Sequence, residues 1–578
     1  MVLVAAKASA LAGHDLPHSW WSLIALFWHD AAVVLVFALI AKATAEIAER
    51  AEIRGSALSA SSAVACLYIA LTFYAAVNVP VMRVLSTPLT VPMWRAARGP
   101  LADSMLMYAT WDNLALMVAV LTLAIGLPLA LVRPTHTHAA RPLRAQGAHL
   151  FGIVLVTVVA LGPHAASRVD ARGFDRNAWT ALITTLPRTP ERAWFDRERT
   201  TVGPERTSIE PERTRIGSER SSIERERTSS ASGSAAGRNI VMVSLESTGA
   251  QYIGLYGAAP DPMPNLSALA AQALIFDRAY AVYPESIKGL FSILCSAYPA
   301  FDTAAESYRD ALCAPVADLL AGRGYRTALF HSGRFGYLGM EAIVRDRGYQ
   351  VLEDAGDIGG QRESSFGIDE PSTVARILRW IDSLDRGDRF FVTYLPVAGH
   401  HPYDTPEPGP FPERATIDRY RNALAYGDAA LGSLVAGLRQ RGLEEKTLWI
   451  IFGDHGEAFG QHDGNYGHTF QIYDENVHVP FVVAAPGLLR GPVRRQNVVS
   501  LIDVAPTIVD LIGGIPPAAW QGRSALDGRP RTAFFFTDYS LRLLGRRDGR
   551  FKTIYDLDSG RIRRFDMEVD PGETTSLR

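Results

Sequence analysis

The stretch IFGDHGEAFGQHDGNYGH, from Ile451 to His468, sets Asp454 and His455 directly after an apolar run and follows them with further acids, histidines and glycines. Carboxylates and imidazoles are the side chains that bind divalent cations and carry protons near neutral pH. A second carboxylate, Glu246, closes another apolar run, NIVMVSL. If the two runs are neighbouring strands, Glu246, Asp454 and His455 reach one edge of a sheet as three ligands for one cation. Carboxylate oxygens with a single imidazole suit Mn2+ or Zn2+, with Mg2+ or Ca2+ open; calcium prefers an all-oxygen shell. The alternative is helix capping, with Glu246 before a turn and Asp454 capping a helix that starts near Gly456.

Such ligands need a scaffold, and the residues from Gly237 onward supply one. NIVMVSL and TLWIIFG are continuous apolar, β-branched runs, as expected of parallel strands buried on both faces. GRGYRTALF and RFFVTYLPV add two more strands, separated by helical patterns such as PSTVARILRWIDSL. This alternation predicts an α/β domain over residues 237–578 with a doubly wound, mainly parallel sheet, in which ligands gather beyond the carboxyl ends of the strands.

The rest of the chain is of another kind. With 578 residues, 48% of them hydrophobic, it is too long for one ordinary domain and too apolar for a purely soluble one. Its net charge of -2 provides no basic field for nucleic acid. Apolar stretches near 31–41, 57–82, 114–132 and 145–167 predict about four spans in a transmembrane region over residues 1–168. His29 and Asp30 in the first span read as interfacial or mutually satisfied groups, with an intramembrane site as the alternative. If Arg50, Arg54, Arg133, Arg141 and Arg144 face the cytoplasm, the later domain is extracytoplasmic on the inner cell membrane, although Arg83, Arg95 and Arg98 then face outward. Residues 169–236 read as a largely disordered linker, because the ERT/ERS repeat between Glu198 and Thr228 has a period of seven yet lacks an apolar seam. Cys295 and Cys313 suit a disulfide in an oxidising space, with buried free thiols as the alternative.

NIVMVSLESTGAQYIGLYG, GDHGEAFGQHDGNYGHTFQIYDENVHVPFVV, VSLIDVAPTIVDLIGGIPPAAWQGRSAL and FDMEVDPGETTSL, in this order, resemble successive blocks of the sulfatase-like branch of the alkaline phosphatase superfamily. Behind a membrane-spanning N-terminus, the domain is similar to lipoteichoic acid synthases and phosphoethanolamine transferases. The resemblance implies a metal-bound nucleophile on PESIKGLFSILCSAYP, at Ser286, with Thr248 as its rival and an N-cap as the plainer role of Ser286. It further implies substrate-side roles for His400 and His468, which also suit proton transfer, and for His331; Lys288 is placed to steady an anionic oxygen. For each, a surface or structural role is the alternative, and His462 and His478 read as structural. The x-Pro-x-Arg that follows the aldehyde-forming residue of sulfatases is missing after Ser286, where the chain reads Ile287, Lys288, Gly289, Leu290. The implied function is a metal-dependent phosphotransferase that moves a phospho-alcohol group from a membrane lipid donor to a glycan or lipid acceptor. A sulfatase-like hydrolase and a catalytically silent membrane scaffold are the alternatives.

Overall fold

The computed structural model describes residues 2–15, 18–50, 54–96, 109–131, 141–186, 232–364 and 366–577. The repeat between Glu198 and Thr228, together with Arg98 and Arg133, lies outside them.

Eight of the fifteen strands among the described residues, numbered along the chain, form the continuous path of the main sheet: β1 Asn239–Leu245, β2 Ala273–Tyr280, β3 Tyr325–His331, β4 Val351–Glu353, β5 Arg389–Leu395, β6 Thr447–Gly453, β10 Phe481–Ala484 and β11 Val493–Ser500. Their order is β11-β2-β10-β6-β1-β5-β3-β4, and the short β9, His478–Val479, pairs with β2. All pairs are parallel except those of β9 and β10, which run antiparallel to their neighbours. β1 and β6 are direct neighbours from Asn239–Thr447 to Leu245–Gly453, so the residues that follow them leave the sheet side by side.

Alternate side chains of these strands feed two cores, which is why the runs are apolar throughout. Ile240, Met242, Ile450 and Phe452 pack with the helices Ser286–Cys295 and Val504–Leu511 on one face. Val241, Val243, Trp449 and Ile451 pack with Glu370–Asp382 and Thr416–Gln440 on the other. Each such fully buried side chain contributes about 1.5–3 kcal/mol. The helix Glu370–Asp382 starts where it does because Asp369 accepts from Ser372 N at 3.0 Å and Pro371 occupies the first turn. Cys295, the last residue of the helix that begins at Ser286, is joined to Cys313. A second sheet, β12 Thr532–Thr537, β13 Leu543–Asp548, β14 Phe551–Asp556 and β15 Ile562–Asp566, is antiparallel and packs through Phe535, Leu543 and Ile554 on Tyr280 and Val477.

Among the described residues, three N-terminal helices are long and apolar enough to cross a membrane: Ser22–Ile47, Ser62–Leu85 and His149–Arg168. The remaining expected span is the helix Trp111–Leu131. Asp30 does not pair with His29. Lys7 lies 2.5 Å from it and Asn177 Nδ2 donates to it at 2.7 Å.

Residues 169–186, expected in the linker, are packed instead, with Val169, Ala171 and Phe174 buried and a helix at Ala178–Thr184. Their charges find partners far along the chain. Arg561 donates to Asp170 at 2.5 Å, while Arg176 pairs with Ser540 O and Asp558. Local composition reads this segment as solvated because those partners lie far away, in the loop after β12 and the turn between β14 and β15.

Candidate active site

Glu246 and Asp454 are the first residues beyond β1 and β6, and both are buried. The crossing is tight: a Cβ on Gly453 would lie 2.1 Å from Thr248 O, and one on Gly399 would lie 2.1 Å from Glu246 O. These glycines let the turn after β1 and the loop bearing His400 close on the strand ends. Ser247 between them holds a left-handed φ of 51° and passes its N–H to Asp454 Oδ1 at 2.9 Å. No helix begins near Gly456; Asp454 Oδ1 accepts from His455 N at 2.8 Å instead.

Oxygen and nitrogen atoms of Glu246, Asp454 and His455 lie within 4.8 Å of one another. His455 Nε2 is 3.6 Å from Glu246 Oε1 and 3.5 Å from Asp454 Oδ2. Its Nδ1 is 3.0 Å from Gly456 O, a contact that assigns the proton to Nδ1 and leaves the Nε2 lone pair facing the carboxylates. Ser286 Oγ enters the same group, donating to Glu246 Oε2 at 2.8 Å and lying 3.2 Å from His455 Nε2. Ser286 opens its helix, but it is not the cap. Glu285 is, accepting from Ile287 N at 3.0 Å and Lys288 N at 3.3 Å. Thr248 turns its hydroxyl back to Glu246 O at 3.0 Å, away from the group.

Burial raises the cost of charge on both carboxylates, and their mutual repulsion adds to it. Asp454 is pushed up by burial and then by Glu246. In Glu246 burial is outweighed by the imidazoles of His400, His455 and His468, which hold it low. Among the described residues neither carboxylate is paired with a lysine or arginine. Two buried acids, an oriented imidazole and a serine hydroxyl therefore fit a divalent cation, which would supply the missing positive charge.

The remaining candidates surround this group unequally. His468 Nδ1 lies 2.6 Å from Glu457 Oε2, and Tyr403 Oη donates to Glu457 Oε1 at 2.5 Å. Burial alone would lower His468, yet the charge and hydrogen bond of Glu457 raise it to about 9. The His468 ring is centred 4.2 Å from that of His455 and 6.1 Å from that of His400. His400 is held by His401 O at 2.6 Å from Nδ1 and packs on Phe366; burial pushes it down against the charge of Glu246. His331 ends β3, is fixed by Leu395 O at 3.0 Å and is likewise lowered by burial. Lys288 is committed to Asp538, 2.9 and 3.0 Å from its carboxylate oxygens. His462 pairs with Glu475 at 2.6 Å and His478 with Asp277 O at 2.9 Å, outside the group.

Sequence reasoning passed over Glu457 and Glu370. Glu457 stands in the opening motif, three residues after Asp454, and that spacing was a usable signal. Glu370 lies in a helical pattern and shows none. It is buried, takes Val397 N at 2.7 Å and Ala398 N at 3.0 Å on one oxygen, and takes Ser332 Oγ and Tyr394 Oη on the other. One carboxylate thereby ties the residue after His331 to the loop that carries His400.

Residues 238–515, which contain every one of these groups except Asp538, match the family model described as Sulfatase. This segment is similar to the sulfatase family. Among relatives of the domain, bovine arylsulfatase K is 39% identical over 108 residues, covering 18% of this chain and 19% of that protein. The lipoteichoic acid synthase-like YvgJ of Bacillus subtilis is 22% identical over 302 residues and 49% of each chain. The chain thus spans about half or less of the length of these two relatives. A Vibrio parahaemolyticus protein of the alkaline phosphatase superfamily superposes with a TM-score of 0.51 at 20% identity, over 60% of this chain and 84% of that one. The domain therefore has the alkaline phosphatase-like fold expected from its sequence.

Proposed function

We propose that the chain is a membrane-anchored, metal-dependent phosphotransferase that moves a phospho-alcohol group from a lipid donor to a glycan or lipid acceptor through a Ser286-bound intermediate. The observation that carries this reading is the hydroxyl of Ser286 held at 2.8 Å from Glu246 Oε2 and 3.2 Å from His455 Nε2. A divalent cation, Mn2+ or Zn2+ by its donor set, would be held by Glu246, Asp454, His455 and Ser286 and would supply charge that favours the serine alkoxide and the developing phosphorane. Ser286 Oγ forms a bond to phosphorus as the bond to the leaving alcohol breaks. One proton passes, in net, from the serine to that alcohol. His468, kept as imidazolium by Glu457, is the donor, and His400 beside it steadies the equatorial oxygens. The acceptor hydroxyl then reverses these steps on the phosphoserine. His331 lines the substrate side, while Lys288, neutralised by Asp538, braces the helix that begins at Ser286.

The N-terminal helices and the synthase-like relative support a lipid donor, and the basic residues of the first loop support an extracytoplasmic catalytic domain. The arylsulfatase relatives support a second reading, hydrolysis of a sulfuric or phosphoric ester at the same site. The residues after Ser286 weigh against an aldehyde-dependent sulfatase, since Lys288 stands where the proline of x-Pro-x-Arg is required. Incubating the detergent-solubilised chain with head-group-labelled phospholipids decides between them. Label on the protein and then on an added acceptor is expected. Label released only to water points to the hydrolase, and label handled equally by Ser286→Ala removes Ser286 from the reaction.

A further inference from the structure

The stretch that carries His468 also reaches the N-terminal helices. β7 Ala458–Phe459 and β8 Tyr466–Gly467 pair antiparallel, so the contact of Glu457 with His468 closes the base of a short hairpin whose tip is residues 462–465. At that tip Asp463 is gripped by three residues of the N-terminal region. His14 Nδ1 lies 2.9 Å from its Oδ1, while Oδ2 accepts from Asp15 N at 3.2 Å and from Arg172 Nη1 at 2.8 Å. The other ring nitrogen of His14 lies 3.0 Å from Arg83 O, near the end of the helix Arg54–Leu85, and the ring packs on Phe174. Gly464 beside it has a left-handed φ of 76° and touches Ser86 so closely that a Cβ would overlap Ser86 Oγ. Only glycine fits there.

From tip to base the hairpin is cross-braced. Asn476, fully buried, accepts from Asn465 Nδ2 at 2.8 Å and donates to Gly467 O at 3.1 Å and to His468 O at 3.3 Å. Gly460 N donates to Asn465 O at 2.8 Å, and Tyr252 Oη donates to Glu457 O at 2.6 Å. Glu475 holds the tip from the catalytic side, 2.6 Å from His462 Nδ1 and 2.8 Å from Asn465 Nδ2. The hairpin is thus fastened at both ends, and a shift of its tip reaches the backbone of His468 instead of being absorbed by a loose loop.

We propose that this hairpin is a strut through which the N-terminal helices hold His468 over the proposed cation site, with Asp463 as its positioning residue. The assignment rests on the phosphotransfer reading, in which His468 protonates the leaving alcohol. Asp463 touches no reacting atom. It acts by fixing where the proton donor stands, and a small misplacement of such a group is costly because proton transfer needs hydrogen-bond reach.

Single-turnover release of the first alcohol from two soluble phosphodiesters, by the full chain in detergent, tests this. The leaving group of bis(p-nitrophenyl) phosphate departs without a proton, whereas the leaving alcohol of dibutyrylphosphatidylglycerol needs one. Asp463→Ala is expected to slow release from the alkyl ester about tenfold to a hundredfold and to leave the aryl ester within about threefold of wild type. Asp463→Glu, which keeps the carboxylate, recovers part of the loss, and His14→Ala with Arg172→Ala reproduces it from the N-terminal side. Should Asp463→Ala fail to fold, Asp463→Asn carries the same comparison. An equal fall on both esters makes Asp463 purely structural and overturns the proposal, as does unchanged release from the alkyl ester. His468→Gln separates this outcome from the reading beneath it. If that variant spares the alkyl ester, the acid role of His468 falls and the positioning with it. If it loses the alkyl ester while the Asp463 variants do not, the positioning falls and the phosphotransfer reading stands.

Discussion

Ser286 Oγ donates to Glu246 Oε2 at 2.8 Å although 40 positions of sequence separate them. The serine opens a helix on one face of the sheet and the glutamate ends a central strand, so the contact exists only because that helix packs its N-terminus over the strand ends. It places a hydroxyl where a carboxylate, an imidazole and a helix N-terminus act on it together.

Removing that hydroxyl removes the proposed covalent step. Ser286→Ala is expected to lower turnover of a phospholipid or a soluble phosphodiester by about a thousandfold or more. Intact-mass measurement after a short incubation should show wild type carrying the phospho-alcohol group and a variant without it. Equal turnover by both would transfer the nucleophile's role elsewhere.

Glu246 and Asp454 repel each other unless a cation lies between them. Asp454→Asn is expected to weaken cation binding by more than the roughly 10–100-fold typical of groups that merely orient a ligand. Dialysis against a chelator should abolish turnover, and Mn2+ or Zn2+ should restore it in wild type at far lower concentration than in the variant. Full turnover after rigorous chelation speaks against a metal role.

Glu370 acts at one remove. Glu370→Ala leaves the N–H groups of Val397 and Ala398 without their acceptor, at about 1–3 kcal/mol for each buried group left unpaired. The expected result is a lower melting temperature together with a fall in kcat larger than the change in KM, because His400 loses its placement. Glu370→Gln, which keeps one acceptor oxygen, should recover part of both. A stability loss with unchanged kcat would make the residue purely structural.

His462 gives a pH signature remote from the proposed cation site. Burial would lower it, but the hydrogen bond and charge of Glu475 raise it above the ordinary 6.5. A raised value means that the folded state binds the proton more tightly than the unfolded chain. Its contribution is full below about pH 6.5 and disappears as pH climbs through the higher folded value. The difference in melting temperature between wild type and His462→Gln should therefore be largest at pH 6 and shrink towards pH 9. A constant difference would contradict the pairing.

Lys7 and Asp30 form a buried pair between the first two helices. Lys7→Met alone strands a carboxylate and is expected to cost about 3–5 kcal/mol, whereas Lys7→Met with Asp30→Leu should cost much less. Thermal unfolding of the detergent-solubilised chain measures both. A double variant no better than the single one would mean that Asp30 is needed for Asn177 instead.

Sequence by itself determined what depends on local pattern. Unbroken apolar runs made NIVMVSL and TLWIIFG buried strands, and the acids that close them were legible as neighbours because a parallel sheet brings its carboxyl ends to one edge. Long uncharged stretches marked the long apolar helices for the same reason: the apolar pattern is itself the cause of the structure. Tertiary structure alone decided which groups meet. That Glu285 rather than Ser286 caps its helix, that Lys288 is spent on Asp538, that Glu370 braces the His400 loop and that residues 169–186 dock on the C-terminal sheet all rest on pairings between distant segments. Such pairings follow from how helices and sheets pack, and no run of neighbouring residues encodes them.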